Sequence, residues 1–135
     1  MKYLLLACRP KQWTKNLIVF AAPFFSFSHI LDVWISSFVC FISFCLISSS
    51  IYLINDSIDI ESDKQHPSKK FRPIASGLVS IKRAIFFSII LCISSILIAF
   101  SVNKIIPLII IFYFLLQIFY CLKLKNQPII DIFCI

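Results

Sequence analysis

Asp56, Asp59 and Asp63, with Asn55 beside the first, are the residues of this sequence whose types and spacing point most directly to chemistry. The three aspartates fall at i, i+3 and i+7, and Asn55, Asp59 and Asp63 at i, i+4 and i+8. On a helix both sets share one face. Aligned like charges repel, and near a helix C-terminus the dipole disfavours them further. A compensating cation is therefore expected. Carboxylate oxygens suit hard divalent ions, and Mg²⁺ in particular keeps waters and bridges to phosphates. Lys69, Lys70 and Arg72 follow closely. They are donors for phosphate oxygens, Arg in a two-pronged fork. Carboxylates for a metal, followed by cations for phosphate, read as a diphosphate–Mg²⁺ site; the plainer alternative is a solvated charged loop with local salt bridges. Glu61 falls off the shared face and reads as solvated. His66 reads as a general base, a phosphate donor or a loop cap.

These charges stand in a chain that is otherwise apolar. The 135 residues are 60% hydrophobic and only 14% charged, against about half and about a quarter for a soluble domain. The excess apolar surface requires lipid as solvent. The expected architecture is a single all-α integral membrane domain over residues 1–135. Its helices are expected over residues 14–31, 33–60, 82–102 and 105–122, with the start of a fifth at 129–135. A membrane helix needs about 20 mostly apolar residues. The first run reaches that length only by starting before Leu17, with Trp13 at the interface. The spans are rich in Phe and Ile, which favours strands. They are continuous rather than alternating, however, so helices are expected instead of a barrel.

The helices also assign sides. Of the 13 Lys and Arg residues, all but Lys104 fall on one face when the four spans alternate. That face carries the N-terminus and the Asp-rich loop, and the positive-inside rule makes it cytoplasmic. The net charge of +7 accordingly reads as topology and attraction to anionic lipid headgroups, not as nucleic-acid binding. The six cysteines show neither CxxC pairing nor metal-ligand spacing and read as small apolar filler. His29, in an apolar run, reads as structural.

NDSIDIESD fits the pattern NDxxDxxxD, and it continues into HPSKKFRPIASG. With RPKQWTKNLIVFAAPFF near the start and YCLKLKNQPIID near the end, the chain resembles the UbiA prenyltransferase superfamily over essentially its whole length. It looks most like the polyprenyl-phosphate phosphoribosyltransferase branch. The resemblance implies a nine-helix membrane bundle around a central cavity, with two Asp-rich segments facing the cytoplasm at the inner membrane. It implies that Asn55, Asp56, Asp59 and Asp63 hold Mg²⁺ on a donor diphosphate, and that Lys69 and Arg72 neutralise donor phosphates. Arg9, Lys11, Gln12, Lys15 and Asn16 either contact the donor or lipid phosphate or serve only to orient the chain. The implied reaction moves 5-phosphoribose from phosphoribosyl pyrophosphate to a polyprenyl phosphate, in cell envelope biosynthesis. The alternatives are an aromatic, 4-hydroxybenzoate-type polyprenyltransferase, which uses a polyprenyl diphosphate, and a non-enzymatic membrane remnant whose loop binds ions or headgroups. The family's second Asp-rich segment is not found in these residues. The expectation is an N-terminal portion of a longer protein, inactive alone.

Overall fold

A computed structural model describes residues 1–123 of the chain. All regular structure among them is helical. The order is α1 (Lys2–Ala7), a 3₁₀ segment (Pro10–Phe20), α2 (Ala21–Phe25), α3 (Leu31–Ile58), α4 (Ile60–Gln65), a 3₁₀ turn (Lys69–Phe71), α5 (Ile81–Phe100) and α6 (Ile105–Leu122). Three of these, α3, α5 and α6, are long and apolar enough to cross a membrane. The all-α membrane fold read from composition is borne out. The expected fifth helix, with Asp131 and Cys134, lies outside the described residues.

The helix expected over residues 14–31 takes another form. Its place is filled by the 3₁₀ segment, then α2, then turns at residues 26–30. Such a long 3₁₀ run is uncommon, and its packing against α3 accounts for it. The segment runs antiparallel to α3, which it meets at matched heights. Arg9 lies against Asp56, and the Trp13 indole N–H donates to Ser49 Oγ at 2.9 Å. Asn16 reaches Cys45 Sγ and Ser48 Oγ at 3.4 Å, and Phe20 lies 5.6 Å from the Phe41 ring. At about 2.0 Å per residue the 3₁₀ segment rises roughly 22 Å. Residues 41–56 of α3 rise about the same at 1.5 Å each. The tighter winding thus lets fewer residues keep pace with α3. With α2 the segment extends about 30 Å, the depth of a bilayer core, without being a long α-helix.

Lipid tails are as apolar as leucine, so helices in a membrane associate through close packing and hydrogen bonds rather than through water exclusion. The α3–α5 contact follows this rule. Buried Ser43 and Ser50 of α3 and Ser88 and Ser95 of α5 are small enough to let the backbones approach. Ser50 Oγ donates to the Ser88 carbonyl at 2.9 Å, and Ser95 Oγ to the Ser43 carbonyl at 2.7 Å. Helix α6 closes on this pair through a cluster of Ile47, Ile51, Ala99 and Ile110. Phe86, Leu97, Phe112 and Leu115 point outward, as lipid-facing side chains do.

A second cluster, of Ala7, Cys8, Leu53, Ile74, Val79 and Ala84, lies at the end of the bundle that carries the aspartates. It ties the start of the chain, the end of α3, the following loop and the start of α5 into one platform. Ser80 caps α5 by accepting from the Arg83 N–H. Burial pushes the Cys8 thiol up to about 11, so this cysteine is protonated and packs as an apolar side chain.

The loop returns to the platform through a turn at Gly77, where φ is +79°. The Gly77 N–H donates to the Ile74 carbonyl at 3.1 Å. No atom lies within 4 Å of where a Cβ would stand. Gly77→Ala therefore meets backbone strain without a clash. A loss of about 1 kcal/mol is expected, read as a small drop in thermal unfolding temperature in detergent with unchanged activity at permissive temperature.

Candidate diphosphate and cation site

Each charged side chain of the site is placed by a neighbour in that platform. Arg9 follows buried Cys8, Asp56 lies one turn beyond buried Leu53, and Arg72 precedes Pro73 and buried Ile74. Pro73 holds Arg72 extended, at φ −61° and ψ 143°, as the residue before a proline prefers. Arg9 also precedes a proline but is left-handed, at φ 52° and ψ 59°. That is a costly conformation for a non-glycine residue. It turns the chain from α1 into the 3₁₀ segment, and it is held by what the side chain touches.

Those contacts form one network. Arg9 Nη2 donates to Asp56 Oδ1 at 2.5 Å. Arg72 Nη1 donates to the same oxygen at 3.3 Å and to Asp63 Oδ2 at 2.6 Å. The Arg9 guanidinium also lies over the Tyr52 ring, 4.7 Å from its centre, a favourable cation–π position. The side chains of Asp56 and Asp63 are 1% and 3% exposed, against 27% and 24% for Arg9 and Arg72. The carboxylates thus lie beneath and the guanidiniums above them, toward solvent. Asp56 Oδ2 is buried and has no hydrogen-bond partner among the described residues.

The shared carboxylate face takes a different form from the one the spacing predicts. Helix α3 ends at Ile58, Asp59 takes φ −87° and ψ 9°, and α4 begins at Ile60. Asp56 and Asp63 still face the same side, with Arg72 between them. Asp59, partly buried, stands at the break, and among the described residues no three His, Cys, Asp or Glu side chains stand together as a metal cage. Guanidinium nitrogens supply the compensation assigned above to a metal.

The remaining candidates are dispersed. Asn55 is partly buried at the end of α3. Lys69 is exposed on the 3₁₀ turn, with its backbone N–H directed at His66 Nδ1 at 3.4 Å. His66 also faces the Ser68 N–H at 3.3 Å, so it caps this loop. Lys11 and Lys15 are exposed along the 3₁₀ segment, where Gln12 is partly buried. Asn16 faces Cys45 and Ser48, about 12–16 Å along α3 from Asp56, and is not brought to the site. Tyr52 escaped the sequence reading. Its signal was its position four residues before Asp56, on the same helix face.

The residues present suit Mg²⁺ in a particular way. That ion is commonly bound by one or two carboxylates, with phosphate oxygens and waters completing its shell. A buried carboxylate with one unpartnered oxygen supplies such a ligand, and two adjacent arginines supply the phosphate contacts.

Comparison with known proteins gives the family. The UbiA prenyltransferase family model matches residues 16–135. The decaprenyl-phosphate phosphoribosyltransferase of Mycolicibacterium smegmatis is 41% identical over 134 residues, covering 96% of this chain and 42% of the relative. Its namesake from Corynebacterium glutamicum is also 41% identical, over 135 residues, covering 93% and 40%. The digeranylgeranylglyceryl phosphate synthase of Methanococcoides burtonii is 36% identical over 113 residues, covering 84% and 38%. The chain spans about two-fifths of the length of these relatives. The matched segment carries the three apolar helices and the buried Asp–Arg network, and the chain is an integral membrane protein that belongs to the UbiA prenyltransferase family.

Proposed function

We propose that this chain belongs to a membrane transferase that moves 5-phosphoribose from phosphoribosyl pyrophosphate to a polyprenyl phosphate, with the Asp-rich end of the bundle at the cytoplasmic face of the inner membrane. The observation that carries the reading is the buried pair Asp56 and Asp63 under two arginines, at the end of a membrane-crossing helix. The names of the most similar relatives support the choice of donor and acceptor.

Asp56, with Asp63 beside it across Arg72, would hold Mg²⁺. When bound, the ion supplies positive charge to the leaving diphosphate. Arg72 and Arg9 bind the diphosphate oxygens, and Lys69 adds a flexible cation at the rim. Their hydrogen bonds strengthen as the bond from sugar C1 to the diphosphate oxygen breaks and negative charge collects on the leaving group. The sugar passes through an oxocarbenium-like state. An oxygen of the polyprenyl phosphate forms the new bond to C1, and diphosphate departs. The acceptor is already ionised, so no general base is required, in keeping with His66 as a loop cap.

The M. burtonii relative, named for synthesis of a prenylated glyceryl phosphate, keeps prenyl transfer as the second reading. The carboxylate–arginine site serves a diphosphate leaving group in either case. The test offers the full-length protein labelled phosphoribosyl pyrophosphate with polyprenyl phosphate and Mg²⁺, and separately a polyprenyl diphosphate with an aromatic acid. Labelled lipid in the first mixture is expected; product only in the second would overturn the reading. The 135-residue chain alone, about two-fifths of its relatives' length, is expected to give no turnover in either.

A further inference from the structure

Arg9 and Arg72 occupy the hydrogen-bonding positions that a cation and its phosphate would compete for. Asp56 Oδ1 accepts from both arginines, and Arg72 also holds Asp63. Two carboxylates and two guanidiniums make the network electrically neutral. A divalent cation arriving alone must pass two positive groups, which hold Asp56 Oδ1 and Asp63 Oδ2. A polyanion arriving alone finds those guanidiniums committed to carboxylates, and it must approach the carboxylates as well. The ions together meet neither obstacle: phosphate oxygens take the guanidiniums, and the freed carboxylate oxygens take the cation.

We infer that Arg9 and Arg72 are internal placeholders for the cation, released only by a phosphate-bearing ligand, so that cation and polyanion binding are coupled by an exchange of ion-pair partners. This rests on reading the site as one for a diphosphate, and it deepens that reading. The second observation behind it is the buried Asp56 Oδ2, which no group among the described residues satisfies. A network built only for structure has no use for an orphan carboxylate oxygen, because leaving one buried is costly. The mounting of the two arginines suits exchange. Arg72 directly precedes a proline that holds its backbone extended, so its side chain swings while its root stays put. Tyr52 offers Arg9 an aromatic face to rest on throughout.

The test uses the full-length protein in lipid nanodiscs, with Mn²⁺ as the probe ion and equilibrium dialysis to count what the protein binds. In wild type, Mn²⁺ alone is expected to bind weakly, and inorganic pyrophosphate is expected to raise bound Mn²⁺ strongly. Equal binding with and without pyrophosphate overturns the inference. Arg72→Gln is expected to move the two measurements in opposite directions. Mn²⁺ alone binds about tenfold tighter, within the usual range for coupled sites, and pyrophosphate-dependent binding falls. If Arg72 were a phosphate ligand only, Mn²⁺ alone would be unchanged; if it were a structural brace, both would fall. Either result sinks the exchange. Arg9→Gln, which leaves Asp56 only the longer Arg72 contact and keeps the Arg72–Asp63 contact, is expected to shift binding with the same signs and serves if Arg72→Gln does not fold. Because Mn²⁺ binding without pyrophosphate involves no sugar, a failure to transfer phosphoribose would count against the proposed reaction and leave this result standing.

Discussion

Asp56→Asn in the full-length protein is expected to lower turnover by about 10²–10³-fold, the usual loss on removing one group that stabilises developing charge. Asn conserves volume and shape, so packing is retained and the charge alone is lost. Two consequences separate. The first is stability. Breaking a buried ion pair by removing one partner costs about 3–5 kcal/mol, because the other charge is left uncompensated. Here the arginines are about a quarter exposed, so water relieves part of that cost and about 1–3 kcal/mol is expected. Arg72 also keeps Asp63. The second is function. With Asp56 neutral, a cation loses its buried ligand, and the concentration of Mg²⁺ needed for half-maximal turnover rises.

Thermal unfolding in detergent reads the first consequence, and turnover against Mg²⁺ at a temperature well below both transitions reads the second. Glu61→Gln is the control. Glu61 is 79% exposed and pairs with Lys64, one turn away at 3.0 Å, a contact worth a few tenths of a kcal/mol. Both readouts should stay at wild-type values. Comparable losses at Asp56 and Glu61 would remove the case for a specific site.

The helices α3, α5 and α6 were legible because length and apolar content alone decide a membrane span, and their sequences are continuous. The 3₁₀ segment was not. Over eleven residues, periods of 3.0 and 3.6 are hard to tell apart, and here the choice is made by Trp13 and Asn16 keeping height with α3. The pairing of Asp56 with Asp63 was legible from a spacing of two helical turns. Their compensation was only half legible. Spacing shows that cations lie near carboxylates; it does not say whether a cation serves the acids or an incoming anion. Arg72 serves the acids here, and Arg9 joins them from 47 residues away because α1 and the end of α3 share the cluster around Leu53. Asn16 shows the opposite failure. Its place beside a basic run suggested the polar face, yet the steep rise of the 3₁₀ segment carries it to the level of Cys45 and Ser48 on α3.

The serines of α3, to which the sequence analysis gives no role, carry the second large effect. Ser50→Leu is expected to unfold or strongly destabilise the α3–α5 pair. Ser50 is fully buried, and its Oγ lies 2.9 Å from the Ser88 carbonyl and 3.1 Å from Ser88 Oγ. A leucine has no room where two backbones approach this closely. Overpacking a filled site costs about 1–3 kcal/mol, and prying the helices apart also stretches the Ser95–Ser43 bond two turns away. Ser50→Ala separates size from hydrogen bonding. Interhelical hydrogen bonds in membranes average about 0.6 kcal/mol, so the alanine variant should melt close to wild type. Because Leu53 and Asp56 lie further along the same helix, a displaced α3 also moves the carboxylate from its arginines. Ser50→Leu should therefore lose pyrophosphate-dependent cation binding as well as stability, while Ser50→Ala retains both. If leucine and alanine melt alike, close packing at this seam is not what holds the bundle together.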